Sequence, residues 1–300
     1  MPSEPTTNAL RELLVHQLES WLPAARHRSR RATVALAYAH RDVDSAEAAL
    51  RLVAGQADRL PGFRLTVLVL ADAAADLPAR LGPIEAGLPA DVAVHVVPGD
   101  PSRLPVALKA AGAAGAPLFS FVDAGTGAAG APDAAVLRAA AGGRPAEVLL
   151  RAGRAARAAL DAVGFPLVTQ VDLAAADGPA ESITFGTGSD RSLEAFKEAL
   201  WAAADLAAVR LGDPAGPPWD VAGEPELDPL GRELVAELAR GGPRTVTELR
   251  RHALLATVHR SSDALRALTD LLAAGAVTRD PAEGRLGGDV IISPSAGASA

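Results

Sequence analysis

The sequence predicts an α/β protein in which a parallel sheet carries helices on both faces and a smaller, mostly helical unit follows. Three observations carry that expectation. Apolar runs too short for buried helices alternate with helical stretches, and this alternation specifies parallel strands joined by crossover helices. A passage at 212–229, GDPAGPPWDVAGEPELDP, holds five prolines and cannot be a regular helix or a central strand, so it divides the chain. A length of 300 residues exceeds what one small domain needs, which fits two units.

Thr7 or Asn8 can cap a first helix reaching about Ala25, with Leu10, Leu13, Leu14, Leu18 and Leu22 on one face. A basic connector, 26–31, leads to the first strand at 33–39. A helix at 45–60, a strand at 65–70 and a helix interrupted by Pro78 and Pro83 come next. Further strands are predicted at 92–97, 118–122 and 147–150, each followed by an alanine-rich helical segment. Short strands at 182–187 and 209–211 flank a helix at 190–204 whose start is marked by Ser189 and Asp190. Beyond the proline-rich passage lie helices at 230–240, 246–255 and 261–274, then strand-like pieces at 277–279 and 290–292 around a Gly-rich turn. That is a winged-helix order. The expected organisation is an α/β domain at 1–213, a linker at 214–228, a winged-helix-like domain at 229–292 and a disordered tail at 293–300.

Composition narrows the function classes. Hydrophobic residues make up 49% and charged ones 22%, as in a globular protein, although alanine dominates and aromatics are only 3%. No stretch approaches the roughly 20 apolar residues of a membrane span, and the first residues lack a basic region followed by an apolar one, so a cytoplasmic protein with no membrane partner is expected. The absence of cysteine removes disulfides, thiolate nucleophiles and iron–sulfur ligation. A net charge of −7 argues against broad, charge-driven nucleic-acid binding. The six histidines show no i, i+4 pair, and no Walker, HExxH or G-x-S-x-G pattern occurs, so no metal is expected.

In a parallel sheet, ligands bind beyond the carboxyl ends of the strands, and three of those ends are acidic: Asp72, Asp100 and Asp123. A nucleoside-like ligand could use Asp72 for its ribose hydroxyls and Asp100 for an adenine amino group, with Asp123 facing the reacting substrate. The alternative is that each Asp caps the helix after its strand. The stretch after the first strand, AYAHRDVDSAEAAL, has no glycine before Gly55, so Tyr38, His40 and Arg41 fill the space in which a cofactor's tail would lie. Tyr38 and His40 therefore stand as the cofactor-side candidates; His40 could be a general base, although a lone His at a strand end is more often a surface or partly packed residue. In DAGTGAAGAP, Gly125, Gly127 and Gly130 could form a nest for an anion, or belong to a flexible active-site loop.

A family resemblance enters on these residues. The segment 183–214, ITFGTGSDRSLEAFKEALWAAADLAAVRLGDP, resembles the closing segment of the three-Cys-motif partner proteins (TcmP), in which a strand and a small turn precede a helix with a Lys and a terminal Trp, here Lys197 and Trp201. Upstream, LFSFVDAGTGAAGAP resembles that family's stretch after its fourth strand, and AEVLLRAG its fifth strand. The resemblance implies a Rossmann-like, class I methyltransferase-type sheet, S-adenosylmethionine as the cofactor and a protein partner. It also implies a sheet ending in a reversed pair, with the strand near 209–211 antiparallel to the rest. Two departures fall where chemistry would occur: the family's Asp-x-Phe-Ala-Gly-x-Gly loop is missing from AYAHRD, and its Asp-Pro has become Asp123-Ala124. Together they point to a divergent or inactive homologue with a blocked mouth beside the first strand, acting as a partner protein, with a methyltransferase-like protein that keeps some S-adenosylmethionine binding through Asp72, Asp100 and Asp123 as the other reading.

The alternative is a transcriptional regulator acting through the tail. There, Asp228 to Ile292 holds nine Arg and nine acidic residues, and the third helix is expected to turn Leu265, Leu268, Leu271 and Leu272 inward and Arg260, Asp263, Arg266 and Asp270 outward. Those mixed signs would set carboxylates against phosphates, so the module is expected to pack on the α/β domain or a partner, without sequence-specific DNA binding.

Overall fold

Each of the seven strands anticipated before the proline-rich passage is present, and one more joins them. A computed structural model describes residues 4–38, 43–71, 77–125, 133–176, 178–214 and 225–295. In chain order the first part runs α1 (Glu4–Arg28), β1 (Arg31–Tyr38), α2 (Val43–Gly55), β2 (Arg64–Ala71), α3 (Leu77–Glu85), β3 (Val92–Pro98), α4 (Leu104–Ala110) and β4 (Leu118–Asp123). It continues through α5 (Ala134–Ala140), β5 (Ala146–Arg151), α6 (Ala156–Ala162), β6 (Leu167–Ala174), β7 (Glu181–Thr187), α7 (Asp190–Leu206) and β8 (Arg210–Gly212). α1 starts earlier than Thr7 because Pro5 lies in the first turn, where its missing N–H costs no helical bond. Ser189 does cap α7, accepting from the Ser192 N–H at 3.2 Å.

The eight strands form one sheet in the order β3-β2-β1-β4-β5-β7-β6-β8. β7 pairs antiparallel with both β5 and β6, and β8 antiparallel with β6, so these two run against the other six. The strand at the 209–211 position thus runs against β1–β6 as expected, but shares its direction with β7. Winding reverses between β1 and β4, which makes the carboxyl ends of those two strands the switch point of the sheet. One face of the sheet is covered by α1, α2, α3 and α7 through Leu13, Leu14, Leu50, Leu81 and Phe196. The other packs on α4, α5 and α6 through Leu108, Leu137 and Leu160. Phe185 of β7 stacks on Phe196 of α7 at 4.6 Å between ring centres.

The rest of the chain forms α8 (Asp228–Gly241), β9 (Arg244–Thr245), α9 (Val246–Ala256), α10 (Ser261–Ala273), β10 (Val277–Asp280) and β11 (Ile291–Pro294). The strands pair in the order β10-β11-β9. A capping box between Thr245 and Glu248 starts α9. Leu230, Leu234, Leu249, Leu268 and Ile292 make a core separate from the two of the larger sheet. β11 continues through Ser293 and Pro294, which the sequence places in a disordered tail; Pro294 lies opposite Val277 in the ladder. Among the described residues, no helix is long and apolar enough to cross a membrane.

Candidate functional site

The carboxyl edge of the sheet is the place to look for chemistry, and three charged side chains meet there. Asp123 and Arg151 end adjacent parallel strands and lie opposite each other in register, while Glu181 opens the reversed strand β7 alongside. Arg151 Nη1 donates to Asp123 Oδ2 at 3.0 Å, and Arg151 Nη2 stands 2.7 Å from Glu181 Oε2. All three side chains are no more than 5% exposed. The Gly125 N–H donates to the other oxygen of Asp123 at 2.9 Å, and the Thr6 hydroxyl of α1 donates to Glu181 at 2.8 Å. The first turn of α1 therefore contributes to a buried network of one cation between two carboxylates, in which Arg151 Nη2 is paired with Glu181 by charge and proximity but makes no aligned hydrogen bond. At the opposite end of β5, Glu147 accepts from Ser192 at 2.6 Å and from Gln17 of α1 at 3.3 Å, and burial pushes its carboxyl above the usual range. α1 thus holds β5 and its neighbour β7 at both ends.

Three of the five sequence candidates, Asp123, Tyr38 and Asp100, lie among the described residues, and each has a separate role. Asp123 lies at the switch point but is engaged by Arg151 and Gly125. Tyr38 lies opposite it in register, buried, with its ring edge-on to Phe121 at 5.5 Å between centres. Asp100 is exposed and caps the short turn Pro101–Arg103, accepting from the Ser102 N–H at 2.8 Å; the bonds from Ser102 hold its carboxyl below the usual range. That is the capping role offered as its alternative. Asp72 and His40 lie outside the described residues, as do Gly127 and Gly130 and the expected blockage beside His40. Sequence reasoning missed Arg151 and Glu181; their one signal is a charge at the end of an otherwise apolar strand.

A second constellation joins the larger sheet to the C-terminal module. Lys197 of α7 is wholly buried and its Nζ donates to the Thr257 carbonyl at 2.6 Å. One turn on, Trp201 Nε1 donates to the Val258 carbonyl at 3.0 Å, and Asp213 after β8 accepts from the Val258 N–H at 2.5 Å. Arg157 of α6 donates to the Leu255 carbonyl at 3.0 Å. Four side chains of the α/β domain thereby hold the backbone of the last turn of α9 and of its connection to α10, and Leu254 and Val258 belong to the α/β core. Around this clasp, Asp190, Glu194 and Glu198 recur every four residues along α7, facing Arg251 at 2.6 Å, Arg250 at 3.2 Å and Arg260 at 3.8 Å. Such exposed pairs add little stability but fix orientation.

The clasp corrects part of the reading of α10. Leu268 is buried and Leu265, Leu271 and Leu272 pack on the module's core, yet Asp263 faces inward: it is fully buried and accepts from the Arg260 N–H at 3.0 Å. Its carboxylate closes the helix start, a buried acid satisfied at a helix N-terminus. Arg260 is half-buried, 4.8 Å above the Trp201 ring. The Trp201→Phe variant should keep that contact but leave the Val258 carbonyl without its donor, costing about 1–3 kcal/mol in urea unfolding. A loss indistinguishable from zero would mean that the indole bond contributes nothing to docking.

The geometry defines an α/β protein with a doubly wound, mostly parallel sheet and a docked helical module. No protein-family model matches the chain, and no curated protein matches it.

Proposed function

We propose that this chain is a methyltransferase-type protein of the three-Cys-motif partner kind that works as a binding partner for another protein and not as a transferase. The observation that carries this reading is the state of Asp123. The carboxylate that would face a substrate at the switch point is buried and already bound by Arg151 and by the Gly125 N–H. Reversed strands near the end of the sheet support the methyltransferase-type likeness. The order of α8, β9, α9, α10, β10 and β11 supports a winged helix for the tail, and Lys197 and Trp201, the two marks of the family resemblance, are the side chains that dock it. Of the basic residues on that tail, Arg250, Arg251 and Arg260 turn to acids of α7, which favours a packing role over DNA recognition.

Among the described residues, Tyr38, Asp100 and Asp123 do not fit S-adenosylmethionine. Tyr38 is buried in the core, Asp100 caps a turn and Asp123 is ion-paired, which leaves these three side chains no part in a transfer step. Isothermal titration of the whole chain with S-adenosylmethionine up to high micromolar concentration should give no heat of binding. A saturable isotherm would overturn the reading and restore an enzyme. A tight, salt-sensitive complex with duplex DNA would overturn it in favour of a regulator.

A further inference from the structure

The amino edge of the larger sheet carries the opposite sign to the protein as a whole. Arg31 and Arg64 open the adjacent strands β1 and β2 as partners in register, and the Arg64 N–H donates to the Arg30 carbonyl at 2.9 Å. Arg26, in the last turn of α1, donates to the Arg59 carbonyl ahead of β2. Arg144 stands ahead of β5, its N–H on the Ala116 carbonyl at 2.8 Å. Burial raises the Glu147 carboxyl at the start of β5 and Arg28 works against that rise, which places Arg28 at the same edge. All seven arginines are exposed, and none is ion-paired with a described residue. The stretches 22–31, 56–64, 91–92 and 141–147 that form the edge hold three acids, of which Asp91 accepts from the Gly62 N–H at 3.0 Å and Glu147 from Ser192 and Gln17, leaving Asp58. In a chain of net charge −7 this is a local positive surface. Complementing a helix end accounts for Arg26 and Arg28 in the last turn of α1, but Arg30, Arg31, Arg64 and Arg144 lie outside helices. The same surface holds a hollow of about 180 Å³, with Leu22, Pro23 and Leu60 as its apolar wall and Arg26, Gln56 and Arg59 as its polar lining.

We propose that this edge docks an acidic segment of the partner protein, with one apolar side chain of that segment seated in the hollow beside Arg26 and Arg59. The inference rests on the partner-protein reading above and names the chemistry of the partner's contact. Guanidinium groups suit carboxylates because their fork of donors reaches both oxygens. Adjacent strands lie about 4.8 Å apart, so the strand starts from β2 to β5 span about 14 Å, which about four or five extended residues cover. A nucleic acid fits less well. Phe63, the one aromatic residue of these stretches, is buried, so no ring is offered to a base, and a phosphate backbone leaves the apolar hollow empty. A lipid surface calls for apolar side chains that protrude, and here they line a concavity.

Fluorescence anisotropy of a labelled peptide with three glutamates on each side of one leucine, titrated with the full chain at low and at physiological salt, tests the surface. The expected result is saturable binding that weakens with salt and drops about tenfold when glycine replaces the leucine. Arg59→Glu with Arg64→Glu should weaken binding by about tenfold or more. Arg232→Glu with Arg285→Glu, the same change of charge at exposed positions of the C-terminal module, should leave it unchanged. Thermal unfolding at the wild-type midpoint shows that a variant is folded; if the reversals lower it, Arg59→Gln with Arg64→Gln carries the test with a loss of about threefold. Absence of saturable binding at low salt would overturn the proposal, as would binding indifferent to the leucine or to the Arg59 and Arg64 changes. Tighter binding of a short DNA duplex or of phosphatidylserine vesicles, lost in the same variants, would overturn it in favour of a phosphate partner. Failure of the peptide strikes this surface alone, because the partner-protein reading is tested separately by titration with S-adenosylmethionine.

Discussion

Replacing Arg151 with Met should lower the unfolding free energy by about 3–5 kcal/mol, the cost of leaving a buried charge uncompensated. Two carboxylates lose one cation here. Asp123 would keep the Gly125 N–H and Glu181 the Thr6 hydroxyl, but neither bond neutralises a charge beneath the first turn of α1. A domain of this size is stable by only about 5–15 kcal/mol, so the variant should unfold at markedly lower denaturant concentration. The triple variant Arg151→Met, Asp123→Asn, Glu181→Gln should recover most of the loss, because neutral groups of the same shape carry a far smaller desolvation cost. Recovery would show that the network's weight lies in its charge balance. A loss below about 1 kcal/mol in the single variant would show that water reaches these carboxylates, and the case for an occupied Asp123 would fall with it.

What the sequence made legible was the alternation of elements, because burial of a parallel sheet writes itself as apolar runs such as TVALA and LTVLVL. β6 escaped because LVTQVDLA carries Thr169, Gln170 and Asp172 in a fully buried strand. Asp172 survives there only because Ser182 donates to it and Arg154 lies 3.6 Å away, partners 10 and 18 positions distant in the chain that no local pattern announces. The site was legible only in part, for the same reason. Asp123 could be picked out as a strand-end acid, but its meaning depends on Arg151, 28 residues on, and Glu181, further still. Asp263 was misplaced because a helical-wheel argument assigns it to the outer face, whereas capping draws the first turn's acid inward to the Arg260 N–H. Lys197 and Trp201 stood out in the sequence only through a resemblance, and their role as the clasp of a second module needed the fold.

Stability should rise with pH between about 7 and 10.5, and Lys197 should be the cause. Burial pushes its ammonium down from 10.5 to about 7, with Asp213 opposing the shift and Arg157 adding to it. Below pH 7 the folded and unfolded chains both hold the proton; between 7 and 10.5 only the unfolded chain retains it, so raising the pH favours the fold across that window by a few kcal/mol. The other groups facing Lys197 cannot mimic this. Burial pushes Asp213 up, which taken alone makes stability fall as pH rises, and it pushes His259 down from 6.5, so that contribution is complete before the window opens. The chain has two lysines, one tyrosine and no cysteine, so few other side chains titrate in this range. Lys197→Met should flatten the slope. At pH 10 the variant should be less stable than the wild type by about 1–3 kcal/mol, since the Thr257 carbonyl loses its donor, and toward pH 7 the gap should close and the order reverse, because there the wild type bears the cost of burying a charge. Urea unfolding at a series of pH values measures both effects. A wild-type chain whose stability is flat from 7 to 10 would mean that Lys197 reaches solvent, and that α7 and the α9–α10 connection are not held together as described.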